Sequence, residues 1–162
     1  MGFLVDSSFP LAADQIREAD DAARAIGVPI HALRVKSKRD TDEAFETIAQ
    51  QHIGALAVGS SPFLDTCRDQ LVALAARAAV PTMYSFREYA LAGGLVSYGI
   101  DIQDVHRQVG LYAAQIVKGT KPAELPILQP TKFALVINVK TAKALGLSIP
   151  PQVLAIADEV IE

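Results

Sequence analysis

The residues Gly2-Phe3-Leu4-Val5-Asp6-Ser7-Ser8 form a short apolar run that ends in a carboxylate and two hydroxyls. This pattern predicts a buried strand followed by a polar turn. The same order recurs at Ala55-Leu56-Ala57-Val58-Gly59-Ser60-Ser61, where an apolar run again ends in small polar residues. Further apolar runs begin near residues 30, 82 and 95, so we expect five strands before residue 100.

Helical patterns fill most of the intervals between these strands. Apolar residues recur every three or four positions over 12–26, 44–49 and 63–79, with charged residues between them. Strands that alternate with helices imply right-handed crossovers and a parallel sheet. The sequence therefore predicts an α/β fold: a doubly wound, largely parallel sheet with flanking helices.

Three details of the helices follow from the same patterns. The first helix is expected to bury Ile26 with the rest of its apolar stripe. Either Asp40 or Thr41 is expected to cap the second helix. The third is expected to run unbroken to about Ala79, with Cys67 on its inward face.

The pattern changes after residue 100 and divides the chain into three parts. Residues 1–100 form the α/β core, 101–130 a crossover helix with a proline-rich connection, and 131–162 a returning strand with C-terminal helices. The crossover helix is expected at Asp104–Lys118. One of its faces is apolar, with Val105, Val109, Tyr112 and Ile116.

Composition excludes several classes of protein. A net charge of −3 and a pI near 5.6 argue against a nucleic-acid surface. The single cysteine, Cys67, excludes an internal disulfide and a thiolate zinc cluster. The first residues have neither the basic region nor the long apolar stretch of a signal peptide, which by itself implies the cytoplasm.

Candidate binding residues follow from the predicted topology. In open parallel sheets, ligands bind outside the carboxyl ends of the strands. Small hydroxyls beside helix N-termini suit an anion, and an arginine suits a carboxylate. The candidates that follow predicted strands are Asp6, Ser7, Ser8, Ser60, Ser61, Phe63, Ser85, Phe86 and Arg87.

Each candidate also has a purely structural interpretation. The serines are good helix caps. Arg87, which with the adjacent Glu88 could clamp a zwitterion, is equally suited to an ion pair that fixes the loop. Phe63 and Phe86 could stack on an apolar part of a ligand or pack in the core.

Enzymatic motifs are weak. The histidines, His31, His52 and His106, have no metal-ligand spacing and stand beside no nucleophile. Gly59-Ser60-Ser61 lacks the second glycine of a nucleophile elbow. We therefore expect no catalytic residues, no metal and no cofactor, and we interpret the chain as a binding protein.

Several segments from Ala55 onward match one known family in order. They are Val80-Pro81-Thr82-Met83-Tyr84-Ser85-Phe86-Arg87-Glu88-Tyr89, Ala92-Gly93-Gly94-Leu95-Val96-Ser97-Tyr98-Gly99, Ile116-Val117-Lys118-Gly119-Thr120-Lys121-Pro122 and Thr141-Ala142-Lys143-Ala144-Leu145-Gly146-Leu147. With them the chain resembles the ABC transporter substrate-binding proteins that bind tryptophan or other aromatic amino acids. The first fifty residues fit this family less specifically.

The resemblance implies a type I periplasmic-binding fold, in which a solute is trapped between two lobes. The chain resembles the second lobe, without the first. It implies a small solute such as an aromatic amino acid, an ABC permease as partner and a periplasmic or extracytoplasmic location. Without a first lobe, solute binding is expected to be weak or absent. The exposed apolar face of the 104–118 helix is expected to form a homodimer, by direct association or by exchange of the helix between two copies.

Two other functions fit the same fold. A stand-alone doubly wound domain could serve as a regulatory or oligomerisation module. A flavin phosphate could bind at Asp6-Ser7-Ser8, as in flavodoxin-like folds, although this turn lacks their usual glycine and threonine density.

Overall fold

A computed structural model describes all 162 residues. Its centre is one seven-stranded sheet in the order β2-β1-β3-β4-β5-β6-β7. The strands are β1 Gly2–Asp6, β2 His31–Val35, β3 Leu56–Val58, β4 Thr82–Tyr84, β5 Val96–Ile100, β6 Phe133–Asn138 and β7 Glu159–Ile161. The first five are parallel, β6 runs antiparallel to β5, and β7 pairs parallel with β6. The predicted largely parallel sheet is confirmed.

Eight α-helices connect and flank the strands. They are α1 Ala12–Ala25, α2 Lys38–Gln50, α3 Pro62–Thr66, α4 Arg68–Arg77, α5 Arg87–Leu91, α6 Ile102–Val117, α7 Val139–Ala144 and α8 Pro151–Ala155. A single 3₁₀ turn, Pro122–Glu124, interrupts the long connection from α6 to β6. No helix is long and apolar enough to cross a membrane.

The main core lies between the sheet and the helices α2, α3 and α4. Leu4 of β1 belongs to this cluster with Ile48 of α2 and Leu71 of α4, all of them fully or almost fully buried. Val5 is equally buried although alternate strand residues point to opposite faces of a sheet. Both faces of β1 are therefore covered, as a doubly wound fold requires. Cys67 lies in the core as predicted.

Three predictions about the helices are wrong in detail. The cap of α2 is Ser37, whose Oγ accepts a hydrogen bond from the Asp40 N–H at 3.2 Å, and not Asp40 or Thr41. The expected third helix breaks at Cys67 into α3 and α4, and no glycine or proline marks this break. Ile26 follows the end of α1 and is 71% exposed, so it does not belong to the buried stripe.

The last strand, β7, was not predicted from the sequence. Its three residues, Glu159–Ile161, are too few to show a periodic pattern. The strand forms because β6 offers a free edge, where Val136, Ile137 and Asn138 pair with it. This strand places Glu159 at the edge of the sheet that carries the predicted site residues.

Helix α6 leaves the body of the domain between β5 and β6. None of its 16 residues is buried, and Val109 and Val117 are 61% and 87% exposed. Its predicted position, Asp104–Lys118, nearly coincides with Ile102–Val117. Of the apolar face that was expected to be exposed, Val109 and Ile116 are exposed, whereas Val105 and Tyr112 are half-buried.

Candidate functional site

The carboxyl ends of β1, β3, β4 and β5 form one continuous edge. These strands are neighbours in the sheet, and adjacent strands lie about 4.8 Å apart. Their following turns therefore line up within a distance of about 15 Å. The predicted site residues fall in these turns or in the first turn of the next helix.

The turn after β1 is organised around a buried carboxylate. Asp6 is 3% exposed and accepts hydrogen bonds from the Ser8 N–H at 2.9 Å and the Ser8 hydroxyl at 2.6 Å. Burial acts to raise the pKa of Asp6, but the bonds from Ser8 and from the Ser61 side chain outweigh it and lower the pKa. The hydroxyl of Ser7 donates to the Val35 carbonyl at 3.2 Å. Ser7 and Ser8 remain exposed at the surface of the edge.

The turn after β3 combines a cap with a more open serine. Ser61 is 3% exposed, and its Oγ accepts from the Leu64 N–H at 3.2 Å, so the capping interpretation describes this residue. Ser60 is half-buried, and its carbonyl accepts a hydrogen bond from the Gln15 Nε2 at 2.8 Å. A Cβ at Gly59 would lie 2.6 Å from the Gln15 Oε1, so glycine is required for Gln15 to reach this turn.

The turn after β4 packs closely against both neighbouring strands. The Ser85 hydroxyl donates to the Val58 carbonyl of β3 at 3.3 Å. On the other side, the Ser85 carbonyl lies so near Gly99 of β5 that any Cβ there would collide with it. Phe86 precedes α5 and packs against the main core. These contacts fix the position of the residue that follows, Arg87.

Arg87 forms a two-pronged ion pair with a residue from the far end of the chain. Its Nε and Nη2 donate to Glu159 Oε2 and Oε1 at 2.6 and 2.9 Å. The hydrogen bond to Glu159 raises the pKa of Arg87 further, so the guanidinium stays charged. Of the two interpretations of Arg87, the contact that fixes the loop describes this geometry.

A cavity of about 160 Å³ lies beside this ion pair. Its lining comes from the turn after β4, the end of β5, the start of α6, and strands β6 and β7. Polar lining residues include Ser85, Arg87, Asp101, Gln103 and Glu159; apolar ones include Phe86, Ile102 and Val136. No cluster of three or more His, Cys, Asp or Glu side chains has a geometry that could hold a metal ion.

The structure divides the predicted residues into two groups. Ser85, Phe86 and Arg87 line the cavity. The residues of the β1 and β3 turns, including Asp6 and Ser61, lie further along the same edge. Phe63, in the first turn of α3, does not line the cavity and packs against the main core, as the structural interpretation allowed.

Three residues of the site were missed from the sequence. Glu159 was missed because strand β7, to which it belongs, was not predicted. Asp101 was missed because its only sequence signal is its position as the cap of α6. Gln15 was missed because no local signal distinguishes it from the other polar residues of α1. A cap signal, an aspartate just before the apolar pattern of α6, could have identified Asp101.

A parallel sheet with polar turns and a cavity at its carboxyl edge is the architecture of an open α/β ligand-binding domain. The family model of the ABC transporter substrate binding proteins matches residues 1–161. The chain belongs to this family, and the resemblance noted in its sequence is confirmed.

Solved structures share the fold. An ABC domain from Streptococcus pneumoniae in complex with L-Trp is 28% identical, with a TM-score of 0.86 over 99% of this chain and 55% of that one. A conserved domain protein from Vibrio cholerae is 23% identical, with a TM-score of 0.86 over 98% of this chain and 53% of that one. A substrate binding protein with adhesive properties from Clostridium difficile, in its ligand-free open form, is 16% identical with a TM-score of 0.71, over 99% of this chain and 53% of that one.

The chain thus spans little more than half the length of each of these structures. A comparison with curated proteins found no significant match.

Proposed function

We propose that the chain binds a small solute at the carboxyl edge of its sheet and acts, without chemistry of its own, as a solute-binding component of an ABC importer. The observation that carries this proposal is the cavity between Ser85, Arg87 and Asp101, at the edge where open α/β domains bind ligands. Membership of the substrate-binding family supports the same function.

We propose an amino acid, such as an aromatic one, as the solute. The S. pneumoniae protein was solved with L-Trp, and it is 28% identical to this chain. The lining combines apolar side chains, Phe86, Ile102 and Val136, with charged groups. An amino acid with a large apolar side chain presents both kinds of surface.

An ABC permease as partner and an extracytoplasmic location belong to the same proposal. They follow from the family's role. Residues 1–162 correspond to 55% of the S. pneumoniae structure, so a polypeptide of these residues alone supplies only part of the contacts available in a protein of that length. We therefore expect weak binding by the 162-residue chain alone.

A thermal-shift screen against the amino acids and a few aromatic acids tests this function. A ligand that binds only the folded state stabilises it by about 2.7 kcal/mol at a hundredfold excess over its dissociation constant. A shift confined to one class of solute is expected. Because weak binding is expected, each compound is added up to its solubility limit, and a well-folded sample that still shows no shift with any compound would overturn the proposed function.

A second proposal concerns self-association through α6. Its 16 residues include none that is buried, and Val109, Ile116 and Val117 are exposed. A helix with such side chains favours association, because burying them removes apolar surface from water. We expect a concentration-dependent dimer in light scattering, and a monomer for Val109→Glu; a wild-type monomer throughout the micromolar range would refute it.

A further inference from the structure

The ion pair with Glu159 occupies the Nε and Nη2 donors of Arg87, which an arginine uses to bind a ligand's carboxylate. Two parallel bonds, of 2.6 and 2.9 Å, join the guanidinium to both Glu159 oxygens. This fork-to-fork arrangement is the one that an arginine makes with a bound carboxylate ligand. Glu159 therefore holds the place that a solute's carboxylate would take on Arg87.

Replacing Glu159 by a solute carboxylate gains little. The new pair would have the same two bonds as the old one, whereas the solute would lose its free motion on binding. The displaced Glu159 would be left unpaired beside Asp158, which is another carboxylate in the same lining. Two like charges that line one small cavity repel each other, so the exchange is unfavourable.

The charges that line the cavity are mostly negative. Glu88, Asp101, Asp158 and Glu159 contribute carboxylates, and Arg87 is the cation among the lining residues. Lys132 neutralises part of this excess from outside the lining, through its 2.8 Å contact with Asp101. A cavity with this balance attracts a positive group and repels a carboxylate.

We propose that Glu159 determines which charge the cavity accepts. Glu159 neutralises Arg87, and the other lining carboxylates, Glu88, Asp101 and Asp158, give the cavity a net negative charge. The cavity therefore binds the ammonium group of a solute in preference to its carboxylate. This inference rests on the proposed function, since the solute is the one bound at this edge. It replaces the sequence-based idea that Arg87 receives the carboxylate of a zwitterion.

Two indole probes of opposite charge test this directly. Tryptamine carries only the ammonium group, and indole-3-propionate only the carboxylate. Since the chain contains no tryptophan, the fluorescence of the indole ring reports binding of each probe without an indole signal from the protein. We expect the wild-type chain to bind tryptamine about tenfold more tightly, and this preference to fall as salt is added.

The decisive variant is Glu159→Gln. Glutamine keeps an acceptor for Arg87 but removes the charge, so the preference for tryptamine should disappear or reverse. Glu162→Gln removes the same charge from an exposed position beyond β7 and should leave the preference unchanged. The readout is a ratio of two affinities, which general destabilisation of the variant does not alter.

The outcomes separate this inference from the proposed function. Equal affinity for the two probes, or a preference that Glu159→Gln leaves intact, overturns the role of Glu159 even if L-tryptophan binds. Binding of tryptamine without binding of any amino acid supports the role of Glu159 and overturns the amino acid as solute. If neither probe nor L-tryptophan binds, both proposals are wrong.

Discussion

The Nζ of Lys132 lies 2.8 Å from Asp101 Oδ2, at the two points where the chain leaves and re-enters the sheet. The Asp101 N–H also donates to the Lys132 carbonyl at 2.9 Å. The other carboxylate oxygen, Oδ1, accepts from the Gln103 and Asp104 N–H groups at 3.0 and 3.1 Å. One carboxylate thus joins the β5 end, the β6 start and the N-terminus of α6.

Asp101→Ala should lower the urea midpoint of unfolding more than Lys132→Ala does. The aspartate provides both the cap of α6 and the ion pair, whereas Lys132 contributes only an exposed charge. Chemical unfolding of the two variants checks this order. An equal loss from both would mean that the ion pair, and not the cap, holds the segment.

Ser61→Ala should reduce the stability of the domain, whereas Ser60→Ala should leave it nearly unchanged. The Ser61 hydroxyl is a buried cap, so its loss should reduce the free energy of unfolding by about 1–2 kcal/mol. Ser60 uses its backbone carbonyl in the contact with Gln15, so Ser60→Ala should change stability by less than about 0.5 kcal/mol. Urea titrations measure both; similar losses would contradict the assignment of Ser61 as the cap.

Gly99→Ala should destabilise the domain by about 1–3 kcal/mol, because the new methyl group meets the Ser85 carbonyl and forces β4 and β5 apart. Gly110→Ala on α6 is the matched control. Nothing lies near its added Cβ, and alanine favours a helix, so a gain of about 0.5–1 kcal/mol is expected. Thermal unfolding of both variants gives the comparison. If Gly99→Ala unfolds at the same temperature as the wild type, the Ser85 carbonyl does not lie as close to Gly99 as the structure has it.

Acid should weaken the domain partly through Asp6. Burial acts to raise its pKa, but the bonds from Ser8 and Ser61 lower it below the usual 3.8. A lowered folded-state pKa stabilises the domain above the unfolded value, and this contribution disappears as the pH falls through the folded-state pKa.

Asp6→Asn should therefore be less sensitive to acid than the wild type between about pH 5 and about pH 2. Urea midpoints across this range measure the slope. Asp14→Asn is the control for the loss of a surface charge, because the Asp14 side chain is half-exposed and pairs with Arg17. An unchanged acid slope in Asp6→Asn would contradict the account of the β1 turn.

The fold could be predicted because its strands and helices carry strong periodic signals. Apolar runs such as Leu4–Val5 are buried on both faces of the sheet, and the stripe with Phe45 and Ile48 covers one face. The errors in the predicted fold occur where no local sequence signal marks the feature. The break at Cys67 has no glycine or proline, and β7 depends on the free edge of β6.

The site could be predicted only as a set of turns. Strand order places the polar turns at one edge, but it does not reveal that Arg87 pairs with Glu159, 72 positions along the chain. The contact between Gln15 and Ser60 likewise joins residues that are far apart, at 45 positions along the chain. Such pairs depend on tertiary packing, which periodicity and spacing do not encode.

The central claim, that solute binds at the carboxyl edge of the sheet, is tested most directly by mapping amide chemical shifts during a titration with L-tryptophan. The account predicts saturable changes in residues 85–88 and 101–103, which line the cavity, with little change at the opposite edge, for instance in 27–30. Saturable changes confined to the remainder of α6, residues 104–117, or to the opposite edge would place the ligand elsewhere and contradict it.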